Sequence, residues 1–256
     1  MTAFDTFVMV DWSGGNDTGA KPRKDAIWAA VSRRGQGDAP VYLHNRVEAE
    51  NWLVGLIEKE LKAGRRVLIG FDFPFGYPTG FAAALTGSPD PFEVWDWFET
   101  NVQDTPMQNN RFDLAAQINQ NLGNGQGPFW SNGLRKRDIA GLPRTKTGYV
   151  NPFPDRRAAE LRAKGSFTCW QMAGAGAVGS QVFTGLPVLS RLRKRFAGDV
   201  AIWPFEPLDA PVAFVEIWPS LTVGAAPENM IKDAWQVQEI VRQVSALDPA
   251  VLARIL

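Results

Sequence analysis

The chain has 256 residues, 45% hydrophobic and 21% charged, with 27 Lys/Arg against 27 Asp/Glu. That length can bury a real core, and the balance is that of an ordinary soluble fold. No apolar run is long enough to span a membrane, and the N-terminus lacks the basic, apolar, small-residue order of a secretory signal, so the expectation is a cytoplasmic protein with no membrane partner.

Phe4–Asp11 reads as a buried strand, broken by Trp12-Ser13-Gly14-Gly15-Asn16. Ala26–Ser32 and Val41–Val47 read as two more strands. Glu48–Ala63 reads as a helix, with Leu53, Ile57 and Leu61 four apart and Gly64 ending it. Arg66–Asp72 is a further buried strand, stopped at Pro74-Phe75-Gly76-Tyr77-Pro78. A three-strand meander followed by a helix and a buried strand is the pattern of a parallel crossover.

The middle of the chain is irregular, with helical pieces at Pro91–Asn101, Arg111–Asn121 and Val188–Phe196. Strand character returns at Pro211–Ile217. Glu228–Leu247 reads as a closing helix, with Met230, Ala234, Val237, Val241 and Val244 along one face. With no repeat and no linker composition, the expectation is one domain over residues 1–256, in which residues 76–210 are an elaborated insertion.

One cysteine, Cys169, and one histidine, His44, narrow the chemistry. A disulfide within the chain is impossible, and Cys169 reads as a small buried residue. His44 has no second histidine to share a zinc ion. Acid–base or metal chemistry must therefore rest on carboxylates. Asp11, Asp72 and Glu216 each end a strongly apolar run, where a carboxylate is expensive to bury unless paired or bound to a cation. Ligands of open α/β sheets collect outside the carboxyl ends of the strands. Three carboxylates meeting there would favour Mg²⁺ or Mn²⁺, which prefer oxygen. Asp233 is a fourth candidate, at the edge of the closing helix's apolar stripe. Its competing explanation is the preference for acids in a first helical turn.

Charge is unevenly spread. Between Arg135 and Arg195 there are 13 Lys/Arg and 3 Asp/Glu. Arg135, Lys136, Arg144 and Arg193 are candidates to hold a polyanion such as a nucleic acid or nucleotide, and Phe129 and Trp130 to stack on bases. The alternatives are a solvated basic surface and ordinary packing. Gly174-Ala-Gly-Ala-Val-Gly179 matches a dinucleotide fingerprint only in its glycines. It reads instead as a close-packed turn into a helix, where Ser180 could meet an anion.

Several short motifs resemble a domain family of unknown function that is predicted to be RNase H-like nucleases. They are Val10-Asp11-Trp12-Ser13, Gly70-Phe71-Asp72-Phe73-Pro74-Phe75-Gly76, Ser180-Gln181, Val215-Glu216-Ile217-Trp218-Pro219 and Lys232-Asp233-Ala234. The resemblance implies an RNase H-like α/β fold with a mixed five-stranded sheet and a long insertion between its fourth and fifth strands. It also implies a metal-binding acidic site of Asp11, Asp72, Glu216 and Asp233. The activity expected of such a site is two-metal phosphodiester hydrolysis, with Ser13, Ser180 and Gln181 near the substrate. Two other functions fit the sequence: a nucleotide-dependent phosphotransferase of the actin-like type, with Asp11–Gly15 cradling a phosphate, and a non-catalytic binding protein.

Overall fold

An unbroken buried run, Thr6–Asp11, forms strand β1, whose side chains alternate between the two faces of the sheet. The computed structural model describes residues 3–163 and 165–256. Strand β2 (Ile27–Arg33) runs antiparallel to β1, with Asp11 opposite Trp28 and Thr6 opposite Arg33. A two-residue turn at Arg34-Gly35 leads to β3 (Gln36–Gly37), and β4 (Val41–Leu43) also pairs with β2. The third strand is thus shorter than its expected reach to Val47. Asn45 is the reason: its side chain accepts the Glu48 N–H and starts helix α1 (Arg46–Lys62) two residues ahead of expectation.

Helix α1 returns the chain to β5 (Val67–Phe71), which lies parallel to β1. Later in the chain come β6 (Val200–Ile202) and β7 (Val212–Glu216), with β7 parallel to both β5 and β6. The result is α/β, as expected, but among the described residues the mixed sheet has seven strands rather than five, since short β3 and β6 add to the expected set; the order is β3-β2-β1-β5-β7-β6, with β4 also on β2.

The chain divides into two compact units. The first runs to Phe73 and resumes at Arg191–Leu256; it holds the whole sheet. Helices α7 (Lys232–Ser245) and α8 (Pro249–Ile255) close it. Ala234, Val237, Ile240 and Val241 of α7 bury against Phe7, Met9, Leu68, Ala213 and Val215 of the sheet. Each of the larger side chains in this set, the alanines aside, stabilises the unit by about 1.5–3 kcal/mol. Gly70 lies on this face because a Cβ there would stand 2.6 Å from Met9 Sδ and 2.7 Å from Ile217. Thr6 on the other face donates to Glu60 of α1 at 2.8 Å, so α1 and α7 cover opposite faces.

The second unit is Pro74–Ser190, shorter than the expected 76–210, because Arg191 onward, with β6, belongs to the sheet unit. It contains α2 (Phe81–Thr86), α3 (Pro91–Asn101), α4 (Arg111–Gly123), α5 (Ala158–Arg162) and most of α6 (Gly179–Arg195). Its core is aromatic. Phe81, Phe98, Phe129, Trp170 and Phe183 are fully buried, and their rings meet mostly edge to face. Helix α6 begins nine residues ahead of the expected Val188. Pro187 sits inside it, and the burial of Val182, Phe183, Leu186, Val188 and Leu189 outweighs the cost of the proline, roughly 3 kcal/mol. Among the described residues no helix is long and apolar enough to cross a membrane.

Candidate active site

Val10 and Phe71 are in register on parallel β1 and β5. The next residues, Asp11 and Asp72, therefore stand side by side at the carboxyl ends of the two strands, and the Asp72 N–H donates to Val10 O at 3.2 Å. Alternation puts both on the face that α7 covers, since Met9 and Gly70 point there. Asp233, in the first turn of α7, is buried beside them.

The electrostatics show the convergence. Burial, then the negative charges of Asp72 and Asp233, push the Asp11 carboxyl well above its ordinary range, with Asp25 adding and Lys232 opposing. Burial pushes Asp72 up to about 7, with Asp233 adding, although a bond from the Trp12 N–H opposes it. Asp233 is raised too, chiefly by burial, against the hydrogen bond it accepts from Asp25.

Backbone donors hold two of these carboxylates. Trp12 N–H donates to Asp72 Oδ1 at 2.6 Å, and Asp25 N–H donates to Asp233 Oδ2 at 2.6 Å. Each keeps a second oxygen. The oxygen-only donor set, short of positive partners, suits a hard divalent cation. Among the described residues, no three His, Cys, Asp or Glu side chains stand arranged as a metal cage.

Glu216 departs from its expected place. It is in register with Phe71, so it shares the face of Val10 and Phe71; Ile217, not Glu216, is level with Asp72. The apolar run preceding it is one residue shorter in register than those preceding Asp11 and Asp72. In a strand one residue reverses the face.

The expected substrate-binding residues fall on both units. Ser13 is in the loop after β1: its hydroxyl donates to Asp25 O at 2.8 Å and accepts the Gly15 N–H. Ser180 is buried in α6, where its hydroxyl donates to Met172 O and accepts from Arg111 Nε, so it serves packing within the second unit. Gln181 follows it in that first turn, half-buried. Arg144 pairs with Asp138 at 2.6 Å and donates to the carbonyls of Asn132, Leu134 and Arg137, which ties down a loop. Arg193 pairs with Glu206 at 2.6 Å. Arg135 and Lys136 are exposed.

Much of the basic segment is thus neutralised locally, by acids that sequence separation conceals. Arg191 and Arg195 pair with Glu50 and Glu58, which lie about 140 residues earlier in the chain. Phe129 belongs to the aromatic core, and Trp130 packs on Tyr149 with Lys146 above its ring, which accounts for both by packing. The glycine-rich turn is close-packed as expected: a Cβ on Gly179 would stand 2.6 Å from Gln171 O. Cys169 is buried, and that burial pushes its thiol up, as for a small packed residue. His44 packs edge-on to Tyr42, away from any second ligand of its kind.

Two neighbours of the acidic group had little sequence signal. Asp25 adopts a left-handed backbone (φ 57°), which aims its N–H at Asp233. Arg46 is buried at the start of α1, and its guanidinium donates to the carbonyls of Ser13 and Gly15, clamping the loop after Asp11. A lone arginine at a helix start reads as solvated surface until the loop it holds is known. Compared with family models, curated proteins and solved structures, the chain matches none.

Proposed function

We propose that the sheet unit is an RNase H-like, divalent-metal-dependent hydrolase acting on phosphodiester bonds. The observation that carries this reading is the pairing of Asp11 and Asp72 on adjacent parallel strand ends, with Asp233 acting on both. The arrangement around them supports it: an antiparallel meander, a crossover helix, parallel β5 and β7, and a closing helix on the face of the acids.

Asp11, Asp72 and Asp233 would hold Mg²⁺ or Mn²⁺. The bound cation supplies charge neutralisation and Lewis-acid polarisation for attack of water on phosphorus. The chain's own groups position the acids. Trp12 N–H and Asp25 N–H fix one oxygen each of Asp72 and Asp233, and the Arg46 clamp holds the loop that carries Ser13. Lys232, one residue before Asp233, acts on Asp11 and brings positive charge to a site that must receive a phosphate.

Asp72→Asn keeps an acceptor for Trp12 N–H while removing the charge. Calorimetric titration with Mn²⁺ should give binding to the wild type and a loss of at least ~10-fold in affinity in the variant. Equal affinity in the two proteins would remove the site.

A further inference from the structure

At the opposite end of β1 from Asp11 lies a cleft of about 300 Å³ lined by Arg33, Arg34, Lys59 and Arg65. Two of the four are fixed. Arg33 Nε and Arg65 Nε both bind the carboxylate of Glu60, which is fully buried, Arg33 at 3.0 Å and Arg65 at 2.5 Å. Arg33 also pairs with Asp38 at 2.8 Å. The other two are exposed and, among the described residues, have no ion pair. Arg34 sits in the two-residue turn between β2 and β3, where Arg34 (φ 50°) and Gly35 (φ 79°) are both left-handed, the twist that a tight hairpin requires. Lys59 lies in the last turn of α1.

Three carboxylates act on this group: Glu60, Asp38, and Asp5 at longer range on Arg65. Glu60 is beneath the cleft with its oxygens spent on Thr6, Arg33 and Arg65. The carbonyls at the end of α1 are spent as well, since Ala63, Gly64 and Arg65 N–H groups cap those of Lys59, Glu60 and Leu61. The cleft therefore presents donors and positive charge, with two guanidinium groups held in place before any ligand arrives. The general cost of ordering long basic side chains is already met for that pair.

We infer that this cleft is an anion site for a phosphate-bearing small molecule, separate from the acidic group at the other end of the strand. Planar guanidinium groups suit phosphate oxygens, and Lys59 and Arg34 add unpaired charge at the rim. Pyrophosphate is the probe, titrated calorimetrically into the full chain without divalent cations. The wild type should bind it, and Arg34→Glu with Lys59→Glu should weaken binding by at least ~10-fold. Neither residue packs in the core, so the thermal midpoint of that variant should stay near the wild type's. Arg135→Glu with Lys136→Glu, on the second unit, should leave the affinity unchanged. The inference fails if the wild type does not bind, if the Arg34/Lys59 variant binds equally well, or if both double variants lose affinity alike, which would mean unspecific charge attraction.

Discussion

The two ends of β1 treat buried carboxylates in opposite ways. At its start, Glu60 is buried but accepts from Arg65, Thr6 and Arg33, and although burial opposes ionisation, its carboxyl is held down at about 2. At its end, Asp11 is buried and Asp72 half-buried among other acids, and both are pushed up, Asp72 to about 7. Glu60 is the least exposed of the three, yet it alone is held down, because its partners differ. Glu60 is a structural ion whose charge is answered within the fold. The acids at the other end are left with unanswered charge, as expected of groups that await a cation or a proton.

The largest break in this comparison should come at Glu60. Glu60→Ala leaves Arg33 and Arg65 without their shared partner and Thr6 without its acceptor. It should cost about 2–4 kcal/mol, toward the lower end because both arginines reach solvent and can rehydrate. Urea unfolding at pH 7 would measure it, and a loss under about 0.5 kcal/mol would mean that the ion group is ornamental.

The other end should respond with the opposite sign. Unfolded Asp72 titrates near 3.8 and folded Asp72 near 7, so between these values the native state binds more protons. Without metal, the Asp72 contribution should therefore make stability fall as pH rises from about 4 to about 7, with Asp11 and Asp233 acting in the same direction. Glu60 works the other way: its contribution is complete above its ordinary 4.5 and is lost as pH falls toward 2. Asp72→Asn should flatten the upper limb and raise metal-free stability at pH 8 by on the order of 1 kcal/mol, while abolishing any gain from Mn²⁺. A variant less stable than wild type at pH 8 would show that the ionised carboxylate is satisfied there after all.

How much of this was legible in the sequence depends on range. Asp11 and Asp72 could be found because each closes an apolar run, and burial of a charge at a strand end is a local signal. The stripe on α7 was readable from its spacing, and Ala234, Val237, Val241 and Val244 all meet the sheet core; Met230 meets it too, but from ahead of the helix, which starts at Lys232 rather than Glu228. The pairing of Arg191 with Glu50 and of Arg195 with Glu58 was hidden, since contacts so distant in sequence follow only from the fold. A basic stretch that looks uncompensated along the chain is partly compensated in space. Helix α6 was hidden in part because Pro187 looks like a stop, and only the burial around it shows otherwise.

Glu216 supplies the smallest expected effect and the sharpest use of the register. It ends β7 as Asp72 follows β5, and by composition the two look alike. The pairing makes Phe71 its neighbour and assigns the level of Asp72 to Ile217. Its side chain therefore leaves the sheet on the face opposite Asp11 and Asp72. Glu216→Gln should keep Mn²⁺ affinity within about twofold of wild type, under roughly 0.5 kcal/mol, where Asp72→Asn loses far more. The two titrations, run side by side, measure what one step of strand alternation is worth. If Glu216→Gln lost as much affinity as Asp72→Asn, the cation would have to be reached from both faces at the rim of the sheet, and the acidic group would need to be redrawn around β7.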